Sequence, residues 1–186
     1  MLTVKYASAD QGITVPYGPK FKGKQKNSGF VDLRGRADLA AQIPEASGSS
    51  SLKALLVALA ESASPVFTVG CDLGAGHDDE PGTTRQIAGG YIQVMTSAFS
   101  KTSPEDYLVI AEAVSGHVDA KSAGKHWELA HVYTPVDFRL GLDSGVIPSL
   151  QIWFHAKAET LVAAVESREI LISTLHDALN TAIGTR

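Results

Sequence analysis

Residues 127–155, WELAHVYTPVDFRLGLDSGVIPSLQIWFH, decide the reading of the fold. Trp127 to Phe138 and Ser149 to His155 are rich in aromatic and β-branched side chains, the composition of strands. Gly141-Leu142-Asp143-Ser144-Gly145 supplies turn residues between them. Pro135 cannot donate a ladder hydrogen bond, so it predicts an edge position or a bend in the first strand. Two strands joined by so short a turn must run antiparallel, because a parallel pair needs a crossover of a dozen or more residues.

A second strand pair precedes them. Val66 to Val69 is an apolar run leading into Cys71-Asp72-Leu73, and Ile87 to Met95 is another, with Gly89-Gly90 predicting a bulge or a close backbone approach. The stretch between, Gly74 to Thr84, reads as a polar loop. At the N-terminus, alternation predicts strands at Leu2 to Tyr6 and Ile13 to Tyr17, joined as a hairpin through Asp10-Gln11-Gly12. A short strand is expected at Phe30 to Leu33.

Helices separate and follow these pairs. Asp38 to Gln42 suits one or two helical turns, and Ser47-Gly48-Ser49-Ser50-Ser51 offers N-caps for a helix on which Leu52, Leu55, Leu56 and Leu59 form one apolar face. Ser103-Pro104-Glu105-Asp106 is a helix start, with acids at the positive end of the dipole, and Gly116 is placed to stop that helix. From Glu159 onward, Leu161, Val165, Ile172, Leu175 and Leu179 make an apolar stripe that Ser167-Arg168-Glu169 interrupts, which predicts one long helix or two, with Gly184 at a C-cap position. Because strands come in pairs rather than alternating with helices, the expected fold is a single α+β domain over residues 1–186. Its sheet is mainly antiparallel, of about five to seven strands, and two to four helices cover it.

Composition agrees with a folded chain. Of 186 residues, 44% are hydrophobic and 19% charged, which excludes the disordered class. Cys71 is the only cysteine, so no internal disulfide forms and a reducing, cytoplasmic setting is expected. The longest apolar run, Ala54 to Ala60, is far short of a membrane span, and Met1 to Tyr6 reads as a strand rather than a signal peptide. Net charge is −4, unevenly spread: residues 1–36 hold seven Lys or Arg against two acids, and the remainder nine against eighteen. Gly18 to Gly29 carries most of that basic charge and reads as a mobile loop.

Several groups invite a chemical reading. Gly70 to Glu80 places Asp72, His77 and Asp78 after a buried strand, a ligand set for a divalent metal. Cys71 is a candidate nucleophile, although its place at the end of an apolar strand argues for packing. His126, Glu128 and His131 hold ligand types, but strand alternation sets His131 on the opposite face from the other two. His155 and His176 lie in separate elements and carry no local signature. Lys20, Lys22, Lys24 and Lys26 alternate along one segment, as a contact for phosphate or nucleic acid would, yet the acidic chain disfavours a nucleic-acid partner.

No constellation in the sequence carries catalysis. The expected function is therefore a non-catalytic binding or regulatory protein acting through a protein–protein interface, with a homodimer through the C-terminal helix as one form of it. The alternative is a small metal-dependent enzyme acting on a phosphate-containing substrate, in which Asp72, His77 and Asp78 bind the ion and the lysines hold phosphate.

Overall fold

A computed structural model describes residues 4–8, 12–22, 25–97, 103–140 and 143–184. Its main sheet is α+β in the expected sense: six strands, mostly antiparallel, in the order β1-β7-β8-β6-β5, with β2 also paired to β7. The strands are β1 (Val4–Tyr6), β2 (Ile13–Val15), β5 (Val66–His77), β6 (Gln86–Thr96), β7 (His126–Leu140) and β8 (Asp143–Ala158). A separate ribbon pairs β3 (Lys20–Lys22) with β4 (Gln25–Asn27), inside the stretch read as a basic loop. The helices are a 3-10 helix (Ala37–Gln42), α1 (Pro44–Ser47), α2 (Ser50–Leu59), α3 (Pro104–Lys121) and α4 (Leu161–Gly184). Among the described residues, no helix is long and apolar enough to cross a membrane.

The two long hairpins, β5–β6 and β7–β8, are joined by antiparallel β6–β8 pairing into one surface. The N-terminal pair differs from expectation. β1 and β2 do not form a hairpin with each other; each runs parallel to β7, β1 along His131–Tyr133 and β2 along Val136–Phe138. Thr134 and Pro135 fall in the gap between them. Pro135 thus lies on a locally unpaired stretch of the β7 edge, where no strand asks it for an N–H. Phe30 to Leu33 forms no strand; Leu33 is simply buried beside α2.

One face of the sheet is covered by α2, α3 and α4. Leu52, Leu55, Leu56 and Leu59 are buried there, each worth about 1.5–3 kcal/mol of transfer from water, together with Ile92, Val94, Leu150, Ile152 and Phe154 from the strands. The α2 N-cap is Ser49, whose hydroxyl accepts from Leu52 N at 3.0 Å. α3 starts at Ser103-Pro104 as the sequence predicts, with Ser103 N donating to the Asp106 carboxylate at 2.9 Å. It does not stop at Gly116, which lies in open space on the helix surface, but continues to Lys121. Tyr107 locks α3 to the sheet: its hydroxyl accepts from Thr96 N at 3.0 Å and donates to the Pro148 carbonyl at 2.8 Å.

α4 is one continuous helix through Ser167-Arg168-Glu169. Its stripe residues Ile172, Leu175 and Leu179 are buried in the chain's own core, while Leu161 at the start of the stripe is exposed. A second, smaller core lies on the opposite sheet face, where Val15, Phe67, Val69, Met95, Val136, Phe138 and Ile147 pack together. Arg34 closes it, with its guanidinium 5.0 Å from the Phe67 ring centre and 5.2 Å from that of Phe138.

Candidate functional site

Among the described residues, the second core covers only part of its sheet face. A buried polar seam bounds it: Gln93 Nε2 donates to Ser149 Oγ at 2.8 Å, and Ser149 Oγ donates to the Thr134 carbonyl at 2.7 Å. Beyond Gln93, strand registers lay the residues of β5, β6, β8 and β7 in cross-strand rows. One row is Asp72, Tyr91, Trp153 and Ala130; the next is Gly74, Gly89, His155 and Glu128; the last is Gly76, Ile87, Lys157 and His126. Tyr91 and Trp153 are neighbours in register, their ring centres 4.9 Å apart, and both are partly exposed. Glycines make much of the floor. A Cβ on Gly74 or Gly76 would meet nothing within 4 Å, whereas one on Gly89 would run into His155 and the Phe154 carbonyl, so His155 lies directly over that glycine.

This face continues into a cleft of about 870 Å³ that wraps the edge of β5 at Thr68 to Asp72. Its walls come from the N-terminal segment, including Tyr17, Lys20 and Phe30, and from Ile43 to Glu45 at the start of α1. Gly70 is the floor: a Cβ there would sit 3.6 Å from the Tyr17 hydroxyl and 3.7 Å from both Tyr91 and Gln93. Tyr17 also donates its hydroxyl to the Val69 carbonyl at 3.3 Å, which fastens the wall to the strand.

Burial and negative charge set the chemistry of the cleft. The Cys71 thiol is pushed up to about 12, first by burial and then by Glu45 and Asp72. It is a neutral thiol at physiological pH, the opposite of an activated nucleophile. Tyr17 is raised to about 12 by burial, then by Cys71 and Glu45, and Tyr91 to about 12 by burial, with Tyr17 and Asp72 adding to it. Burial keeps these three groups protonated, and the carboxylates of Glu45 and Asp72 add negative charge beside them.

The stretch read as a polar loop after Leu73 is strand as far as His77, because β6 pairs with it residue for residue from Gly70. Asp72 and His77 are therefore five residues apart on an extended chain, roughly 16 Å, and point to opposite faces. His77 Nδ1 instead meets Gln86 Nε2 at 2.8 Å. Asp78 turns to Lys157, whose ammonium is 3.1 Å from Asp78, 3.2 Å from Glu80 and 2.9 Å from Glu128. The hydrogen bonds that Lys157 donates to Glu128 and Asp78 hold its ammonium well above its usual range. This ion cluster accounts for the acidic turn and ties the β5–β6 hairpin to β7 and β8. Asp72, His77 and Asp78 are not brought together, and among the described residues no three His, Cys, Asp or Glu side chains gather as a metal site.

Other candidates separate in the same way. His126 and Glu128 share the uncovered face, while His131 is buried on the helix side. His155 and His176 are divided by the sheet, since α4 packs on the opposite face from His155. Lys20 lines the cleft. The ribbon register sets Lys26 opposite Phe21 and Lys22 opposite Gln25, and Lys24 lies outside the described residues. No family model, curated protein or solved structure matches the chain. Sequence reasoning missed Tyr91 and Trp153 as a pair, because only the β6–β8 register joins residues so distant in the chain.

Proposed function

We propose that this chain is a non-catalytic binding protein whose partner is another protein, held on the uncovered part of the sheet and in the adjoining cleft. The observation that carries the reading is the Tyr91–Trp153 pair, partly exposed on a glycine-floored sheet face with a cleft beside it. Aromatic side chains on an accessible surface are what protein interfaces concentrate as anchors, since each offers a large apolar area at little entropic cost. The protonated Cys71 thiol and the ion-paired Lys157 fit a surface that binds rather than reacts. The single cysteine also supports a cytoplasmic setting, where a lone thiol stays reduced.

Cross-linking capture with the wild type and a Tyr91→Ala/Trp153→Ala variant tests this. The double variant is expected to keep its far-UV circular dichroism and to lose the captured partner. Capture of the same partner by both proteins, with both folded, overturns the reading.

A further inference from the structure

We propose that the outer edge of β5 accepts an extended segment of the partner as an added strand, with a lysine or arginine of that segment seated between Glu45 and Asp72. The inference rests on the reading that a protein partner binds at this face, and it names how that partner is held.

β5 ends the sheet order, and β6 is its one strand neighbour among the described residues. Asp78 N donates to the Arg85 carbonyl at 3.0 Å, which makes 78 and 85 a hydrogen-bonded pair. Alternation along an antiparallel ladder then turns the peptide groups of Asp72, Gly74 and Gly76 toward β6 and those of Cys71, Leu73 and Ala75 outward. One contact agrees with that direction: Leu73 N donates to the carboxylate of Asp72 at 2.8 Å rather than to a neighbouring strand.

Edge strands are ordinarily blunted by lysine, proline or a covering element, because unpaired peptide groups recruit other strands. β5 contains neither lysine nor proline. Its guard is the Asp72 carboxylate on Leu73 N, a side chain that can swing away. Ala75, whose peptide groups face outward, is exposed, so this stretch of the edge is within reach of an incoming strand.

Charge selects the occupant. Glu45 and Asp72 outnumber Lys20 among the ionised groups of the cleft, and the Tyr17 and Tyr91 rings line it too. A cationic side chain gains both from the carboxylates and from the ring faces, whereas a phosphate backbone meets net repulsion. A second copy pairing through its own β5 would bring another Asp72 and no Lys or Arg from that strand. A basic extended segment from a different chain is the occupant that fits.

The test uses a nine-residue peptide alternating threonine and valine around a central lysine, its central-glutamate counterpart, and a single-stranded oligonucleotide, each labelled for fluorescence anisotropy. The lysine peptide is expected to bind at least about tenfold more tightly than the glutamate peptide, with the oligonucleotide silent. Asp72→Asn should remove most of that preference. Ala75→Pro deletes an outward N–H and should abolish binding. Amide hydrogen exchange on the wild type gives an independent reading: Leu73 and Ala75 should become protected when the lysine peptide is added. Equal or absent binding of the two peptides, unchanged exchange at β5, or oligonucleotide binding in their place overturns the inference. If Tyr91→Ala/Trp153→Ala releases the natural partner while Ala75→Pro retains it, strand addition falls and the face still stands as the binding surface.

Discussion

His131 shows how one residue stores a pH dependence. It is 1% exposed on the helix side of β7, its Nε2 has no hydrogen-bond partner among the described residues, and burial pulls its pKa down from 6.5 to about 4. The folded chain refuses a proton that the unfolded chain accepts between those two values. The contribution of the neutral ring is therefore complete above pH 6.5 and is lost as pH falls through the window to 4. A shift of that size makes the loss on the order of 3 kcal/mol. We expect urea unfolding of the wild type to lose about 2 kcal/mol more between pH 7 and pH 4.5 than that of His131→Leu, which keeps the apolar packing and cannot titrate. Equal losses in the two proteins would show that His131 is protonated in the folded state at little cost.

At the scale of elements, Glu169 holds α4 against α2. Its Oε2 accepts from Ser49 Oγ at 2.8 Å and from Ser51 N at 3.3 Å, and its Oε1 receives Arg168 at 3.1 Å. The Arg168 side chain is only 8% exposed, so removing its partner leaves a buried charge. Glu169→Ala is expected to cost about 3 kcal/mol, and adding Arg168→Leu to recover much of that, as measured by urea unfolding of the single and double variants. The sequence shows the same three residues, 167–169, only as an interruption of an apolar stripe. It cannot show that α2 supplies the hydroxyl and N–H that make the interruption a join. The Leu52 stripe and the Ser103-Pro104 start were legible because periodicity and capping are local. Pairing is not local. Gly74 to His77 becomes strand because β6 lies alongside it, and β1 and β2 pair with β7 on either side of Thr134 and Pro135, partners far away in the chain.

Across the whole molecule, little of the candidate site was legible. Asp72 and Cys71 stand out in the sequence as chemical groups, and the structure gives them other work: one guards the edge of β5, the other is a half-buried, protonated thiol. In the sequence the anchors Tyr91 and Trp153 are strand residues with nothing to single them out. The two faces of the sheet nevertheless belong to one body, and the two tryptophans report on them separately. Trp127 faces the helices, with Nε1 donating to Ser167 Oγ at 2.9 Å, and Trp153 stands on the uncovered face beside Tyr91. β5 and β6 contribute Val66, Ile92 and Val94 to the helix-side core and Phe67, Val69 and Met95 to the other, so neither core can be lost while these strands keep their pairing. We expect Trp127→Phe and Trp153→Phe, each left with one tryptophan, to unfold in urea with fluorescence and far-UV circular dichroism midpoints that coincide within each variant. A fluorescence transition ahead of circular dichroism in Trp127→Phe, where Trp153 alone reports, would mean that the binding face opens before the helix layer. The face would then be a locally unfolding unit rather than a preformed surface, and partner binding would carry the cost of ordering it.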